Sequence, residues 1–362
     1  MNVSGKALLL CVLSGCLNAA MAAAEPVGEP VQRFFKEWQV TCNNLNDCDI
    51  RNADENMRIV IRHQAGPEGA AALDIMSFDA DKAEGVWLDG KRWDRAIDLS
   101  DADANNDYAN AHSDRLSDIQ ALVAAAKNAM AISLTADSEV SGSLSGLNAA
   151  LLFVDERQGR LDNQTALLKT GTASADSVPP RPSVAPSLPP VPAIVPLDNA
   201  QALLKKVIGS QQTVLKQEEC EPAEEDIARS AAQPLDAQHA LVLVNCGMGA
   251  YQSSSLLFVT PRDAPEKARQ LMLPLPLHNA EGKPNSVSWL TEASYDPHSG
   301  QLFHAARGRG IADCGESATW RYDGNAFHLM SYNSQPGCDG GEPGDWPSVW
   351  ATPGYTDNES SR

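Results

Sequence analysis

Eight of the twenty residues from 177 to 196, SVPPRPSVAPSLPPVPAIVP, are proline. Proline has no backbone N–H to give to a helix or a sheet ladder and holds φ at about −65°, so the regular conformation left to this stretch is an extended polyproline rod. Such a rod is a spacer between lobes. The chain therefore divides into an N-terminal lobe over 25–172, a linker over 173–196 and a C-terminal lobe over 197–355, with 356–362 as a disordered tail. A chain of 362 residues is long enough for each lobe to bury a core of its own.

The first residues carry one basic side chain, Lys6, an apolar run over 7–13 and small residues at Ala20, Ala22 and Ala24. That is the grammar of a secretory signal peptide occupying 1–24. Leu13-Ser14-Gly15-Cys16 also fits a bacterial lipobox, in which the leader is 1–15 and Cys16 is acylated; both processing routes stay open. The expected location is the periplasm of a Gram-negative bacterium, with an outer-membrane lipoprotein anchored through Cys16 as the alternative. No other segment approaches the roughly 18 apolar residues of a membrane span, so membrane contact is expected only through that N-terminal lipid.

Beyond the leader the cysteines form an even set, Cys42, Cys48, Cys220, Cys246, Cys314 and Cys338. In an oxidising compartment this reads as three disulfides. The sequence-local pairing Cys42–Cys48, Cys220–Cys246 and Cys314–Cys338 is favoured because no bridge then crosses the linker. Zinc is the rival reading, but no CxxC pair occurs and no metal site is expected. A formal charge of −19 without a Lys/Arg cluster excludes nucleic acid as a natural partner.

Residues 34–42 nearly alternate apolar and polar side chains, as one strand with a buried face would, and 58–62 and 73–78 read as further strands. The segment 117–130 reads as a helix with Ser117 and Gln120 as a capping box and Ile119, Leu122, Val123, Ala126 and Met130 on its inner stripe. Past the linker, Asp198 is the expected N-cap of a helix stopped by Gly209, and the acidic run 218–226 is expected to be a solvated loop. Short strands follow near 240–244, 255–260, 286–290, 301–306, 319–322 and 326–331, with Asp323-Gly324 supplying hairpin chemistry between the last two. The expected fold class is α+β and β-rich, two lobes of mainly antiparallel short strands with a few helices.

Motifs that carry chemistry fail on inspection. GSLSG at 142–146 has Leu144 where a nucleophile elbow needs serine. The acidic loop 98–107 puts Asn106 and His112 where a calcium loop needs glycine and glutamate. Gly247-Met248-Gly249 lacks the third glycine of a dinucleotide fingerprint, and the seven histidines show no ligand spacing. No cofactor and no catalytic residue is expected.

Six blocks together carry a resemblance: Trp38-Gln39-Val40-Thr41-Cys42 with Cys48; SLSGLNAALLFVDERQGR at 143–160; Cys246-Gly247-Met248-Gly249-Ala250-Tyr251; RGRGIADCG at 307–315; 320–327 from Trp320 to Phe327; and Trp346-Pro347-Ser348-Val349-Trp350. In this order they resemble the bacterial family called domain of unknown function 1176. The resemblance implies an envelope protein with no established activity and supplies no catalytic residue. More faintly, the N-terminal lobe is similar to the invasion-associated locus B proteins, which share the Trp-Xaa-Val-Xaa-Cys start.

Arg307 and Arg309 concentrate positive charge in an acidic protein, and Gly308 and Gly310 would let a carboxylate or phosphate approach the backbone. The competing reading pairs these arginines with Asp313 or Glu316 around a tight turn. Trp320 and Tyr322 suit sugar stacking if exposed and a β-rich core if buried. The expected role is therefore non-catalytic binding or structure in the cell envelope, with an envelope protein, a glycan or a small anionic ligand as partner. The alternative is a hydrolase of cell-wall glycan or peptide.

Overall fold

The computed structural model describes residues 28–355 except 53, 55, 79–80, 104–107, 137–139, 184–190 and 280. The expected leader, Cys16 and the tail lie outside the described residues.

The N-terminal lobe is built on a seven-stranded antiparallel sheet. Its first five strands follow chain order: β1 Val31–Phe35, β2 Trp38–Cys42, β3 Cys48–Asn52, β4 Met57–His63 and β5 Ala71–Ser77. Ala109–Ser113 and then Asp98–Ser100 complete it. The single strand expected over 34–42 is in fact a hairpin. Lys36 turns the chain with φ at 56° and sets Phe35 opposite Trp38.

Side chains alternate across this sheet, so the two faces are chemically different. Trp38, Val40, Ile50, Ile59, Ile61, Leu73, Ile75 and Ala111 face one way into a core closed by α1, Leu116–Ala126, and α2, Leu147–Arg157. Ile119, Leu122, Val123 and Ala126 of α1 are buried as the stripe requires, whereas Met130 lies past the helix and is exposed. Ser117 and Gln120 do not cap α1; Arg115 holds the N-cap position, and the Gln120 amide donates to the carbonyls of Gln164 and Ala166. Gly146 opens α2 at φ 106°, and a Cβ there would fall 1.8 Å from the Phe35 carbonyl oxygen, so only glycine lets α2 approach the first hairpin.

In the C-terminal lobe an antiparallel meander runs Ser294–Asp296, Gln301–Arg307, Gly315–Tyr322, Phe327–Gln335 and Ser348–Ala351. Asp323-Gly324 makes the expected hairpin, with Asp323 N–H donating to the Ala326 carbonyl. A second sheet is centred on the long pair His239–Met248 and Ser253–Pro261. Against it Leu204, Val207, Val242 and Phe258 form a core under the helix Ala200–Ser210. That helix is capped by Asn199, whose side chain accepts from Ala202 N–H, in place of Asp198, and it runs through Gly209 to Ser210. The acidic run is not all loop, since Glu224–Arg229 is a short helix fixed by Arg229 on Asp226.

All three disulfides have the sequence-local pairing. The linker is fastened at both ends. Pro179 packs on Gly159 and Arg181 pairs with Asp47 in the first lobe, while Arg262 of the second lobe donates to the carbonyls of Val195 and Pro196.

Candidate functional site

The outer face of the seven-stranded sheet is polar, yet it is not left to solvent. Gln39 and Thr41 of β2, Asp49 and Arg51 of β3, Arg58 and Arg62 of β4 and Asp74 of β5 stand on it, and the C-terminal lobe is seated on the same face. Gln39 donates to Gln335 Oε1 at 3.3 Å, and Gln32 to the Ser334 carbonyl at 3.0 Å. The Asn44 amide exchanges two hydrogen bonds with the backbone of Ala351.

At the centre of the seam Arg51 and Arg58 are each only 1 % exposed. Arg51 grips Asp49 with two hydrogen bonds of 2.6 and 2.7 Å. Arg58 lies 3.1 Å through Nε from Asp339 and 2.7 Å through Nη2 from Asp345, both in the second lobe. Arg62 spans three carboxylates, Asp49 and Asp74 at 3.2 Å and Asp345 at 3.4 Å. Burial pushes the Asp49 carboxyl up, but Arg51 on it and Arg62 and Arg58 beside it outweigh that and hold it below the usual range. For Asp339 burial wins over Arg58 and Arg51, and its carboxyl is pushed up.

A glycine-rich loop over 336–347 delivers Asp339 and Asp345, and the RGRG turn holds that loop. Cys338 is bonded to Cys314. Gly340 N–H donates to Asp313 at 2.8 Å, and Gly344 N–H and Trp346 Nε1 both donate to the Ala312 carbonyl, at 3.0 and 3.1 Å. Gly341 lies against the Arg58 guanidinium, where a Cβ would be 2.1 Å from Nη1. A cleft of about 270 Å³ opens beside the seam, lined by Asn43, Asp49, Arg51, Arg62, Asp345 and Trp346. Arg62 and Asp345 are its half-exposed charges, each with a side chain 41 % accessible.

The residues singled out in the sequence do not share one surface. Arg309 pairs with Asp313, and this hydrogen bond, against the opposing effect of burial, holds the Asp313 carboxyl below its usual range. Arg307 stacks over the Tyr251 ring at 5.2 Å and donates to the Tyr251 carbonyl. Gly308 lies under the disulfide, where a Cβ would be 2.6 Å from Cys314 Sγ, while nothing lies within 4 Å of one built at Gly310. Trp320 is fully buried, with its indole N–H on the Pro274 carbonyl at 3.0 Å. Tyr322 donates to Asp236 at 2.8 Å from the wall of a separate apolar groove, and burial together with that carboxylate pushes its phenol up. Asp313, Cys314 and Cys338 bring ligand-type atoms within 4.8 Å of one another, but the two sulfurs are already bonded together.

The sequence matches the family described as protein of unknown function (DUF1176) from residue 32 to residue 353. The chain belongs to that family. It is 32 % identical over 336 residues to an uncharacterized protein, YpfG, of Escherichia coli strain K12, covering 89 % of this chain and 93 % of that one. No solved structure matches. These matches do not show the expected likeness of the first lobe to the invasion-associated locus B proteins.

Several of the family blocks converge on the seam. WQVTC supplies Gln39 and Thr41, RGRGIADCG supplies Ala312, Asp313 and Cys314, and WPSVW supplies the anchor Trp346 and the start of the strand that meets Asn44. The DERQGR segment acts from beneath. Asp155 accepts the N–H groups of Leu167, Leu168 and Lys169, and Gln158 donates to the carbonyls of Asn46 and His63. Arg160 donates to those of Gln64 and Gly66. The bonds of Gln158 and Arg160 hold the chain just before β3 and at the end of β4, on the cleft's rim. His63 at the end of β4 is buried with both ring nitrogens unpartnered. Burial, then the Arg160 guanidinium, push it down to about 3.

Proposed function

We propose that the protein is an exported, periplasmic binding module of the Gram-negative cell envelope, and that its ligand enters the cleft between the lobes. The observation that carries the reading is the pairing of Arg62 and Asp345. They are contributed by different lobes, are equally half-exposed, and face a cleft of small-molecule size while the charges behind them are sealed. A cleft whose walls come from two lobes is a common place for a ligand to sit. Three disulfides suit an oxidising compartment, and among the described residues no helix is long and apolar enough to cross a membrane.

The hydrolase alternative needs a cleft carboxyl that keeps its proton near neutral pH. Asp49 is held the other way by its arginines, and Asp339, which burial raises, is enclosed. Binding is therefore preferred.

Two measurements test the reading. Fractionation with intact mass is expected to find a periplasmic chain starting near residue 23 or 25, or an acylated one starting at Cys16; a cytoplasmic, full-length, reduced chain would overturn it. A melting-temperature screen against muropeptides, N-acetylglucosamine oligomers and short peptides is expected to give a stabiliser that loses its effect in Ser348→Trp, which fills the cleft. If neither these ligands nor small anions shift the wild type, the cleft is not a binding site.

A further inference from the structure

One oxygen, Asp345 Oδ2, receives both the buried Arg58 Nη2 at 2.7 Å and the half-exposed Arg62 Nη2 at 3.4 Å. The Asp345 carbonyl takes two more guanidinium contacts, from Arg51 Nη1 at 2.9 Å and Arg58 Nη2 at 3.2 Å. Such an array is what proteins build for a carboxylate or phosphate ligand, because guanidinium forks match planar oxygen pairs. Here a side chain of the protein itself occupies it.

That occupant can turn out while the backbone that carries it stays in place. The backbone on either side of Asp345 is pinned by Gly344 N–H on the Ala312 carbonyl and by Trp346 N–H on the Gly344 carbonyl, the Trp346 indole also donates to Ala312, and the Asp345 carbonyl stays on Arg51 and Arg58. Only the side chain, already open to water, has to rotate. Charge favours exchange over addition. Arg51, Arg58 and Arg62 face Asp49, Asp74, Asp339 and Asp345, so a further anion is unwelcome while Asp345 points in. With that side chain turned out the array is balanced and can take one oxyanion in its place.

We propose that Arg58 and Arg62 form an oxyanion site whose resident occupant is the Asp345 carboxylate, and that a small ligand bearing a carboxylate or phosphate group exchanges for it in the cleft. This rests on the cleft being the binding site and adds the chemical class of what binds. Asp345 then acts as an internal competitor, lowering apparent affinity by the fraction of molecules in which it points in.

The test is titration of the purified wild type, Asp345→Asn and Arg62→Gln with succinate and with inorganic phosphate. Sodium chloride of equal ionic strength and N-acetylglucosamine serve as controls. Tryptophan fluorescence is the readout, with a Trp346→Phe background to locate the signal, and melting curves confirm that each variant is folded. Asp345→Asn is expected to bind one anion about tenfold more tightly than wild type, and Arg62→Gln to lose that binding; the better anion assigns carboxylate or phosphate. If removing the Asp345 charge brings no gain, or binding survives Arg62→Gln, the oxyanion site falls. A response that chloride reproduces means an adventitious ion only and also overturns it. A neutral ligand that perturbs Trp346 while neither anion does would retain the cleft and remove the oxyanion class. Silence from every probe here and in the melting screen would remove both.

Discussion

Asn44 pairs with Ala351 as one strand residue pairs with another: its amide Nδ2 donates to the Ala351 carbonyl at 3.0 Å and its Oδ1 accepts the Ala351 N–H at 2.8 Å. A side chain of the first lobe thereby satisfies the strand Ser348–Ala351 of the second. Asn44→Ala leaves both backbone groups unmatched and is expected to cost about 1–3 kcal/mol. Asn44→Asp, which keeps the acceptor but sets a buried carboxylate oxygen against the Ala351 carbonyl, should cost more. Urea unfolding of the two variants checks the order, and midpoints equal to that of the wild type would show that the pair contributes nothing.

Arg58 is the heaviest single tie across the seam. Replacing it with alanine leaves Asp339 enclosed with Arg51 as its remaining cation, at 3.7 Å. A loss of about 3–5 kcal/mol is expected for breaking a buried charge set by removing one partner. A change of both sides, Arg58→Met with Asp339→Leu, should recover a good part of it. An Arg58→Ala variant that unfolds at the wild-type urea concentration would refute this picture of the seam.

Acid should weaken the protein through His63. An unfolded chain takes up that proton near the ordinary value of about 6.5, whereas the folded ring is held down to about 3 by burial and then by Arg160. Between those values the unfolded state binds more protons, so stability falls as pH drops, by at most about 1.4 kcal/mol per pH unit. Above the upper value neither state holds the proton and His63 contributes no slope. His63→Leu should flatten the decline from pH 6.5 to 4.5 in urea titrations; an unaltered slope would mean the ring is solvated.

The Cys314–Cys338 bridge closes a separation of 24 residues. Replacing both cysteines with serine should cost about 3 kcal/mol through the unfolded chain. It should also release the loop that carries Asp339 and Asp345, so amide exchange should rise at 339–346 and, across the seam, at Arg51 and Arg58. Exchange confined to the loop would show that the lobes do not depend on it.

Trp320→Ala and Arg309→Ala separate support from recognition. The first empties a core position and is expected to cost about 3–5 kcal/mol. The second breaks the bond to Asp313, which the Gly340 N–H also uses, and should lower the melting temperature modestly. Neither should change the affinity of any cleft ligand measured in the folded protein. A selective loss of binding in Arg309→Ala would move the site to the RGRG turn.

Much of the fold was legible because alternation and turn chemistry are local. The strands around Ile59, Ile75, Val242 and Phe303, the stripe of α1 and the three disulfides all follow from near neighbours. The hairpin at Lys36 was missed because a lysine in left-handed conformation leaves the apolar alternation of 34–42 intact. The seam was not legible. Arg51, Arg58 and Arg62 alternate with apolar residues as the wet side of any half-buried sheet does, and nothing local says that a lobe some 280 residues further on will cover them. The usable hint was Gly337, Gly340, Gly341 and Gly344 crowded around Cys338 and two aspartates, a loop built for close approach. Trp320 suits sugar stacking by residue type, but Ala318, Trp320 and Tyr322 share a strand face, which is how a core-facing row is spelled.

The two unlike faces of the seven-stranded sheet also guard its assembly. Side chains alternate with a period of two, so a strand that slipped by one residue would carry Arg51 or Arg58 under α1 and α2 and present Ile50 or Ile59 to the aspartates of the second lobe. In a sheet with one wet face such an error harms one side only. Here both sides reject it, because β3 and the start of β4 are covered on each face and each cover has its own chemistry. The docked lobe is thus a proofreader of strand register, accepting the one alignment in which every arginine meets its carboxylate.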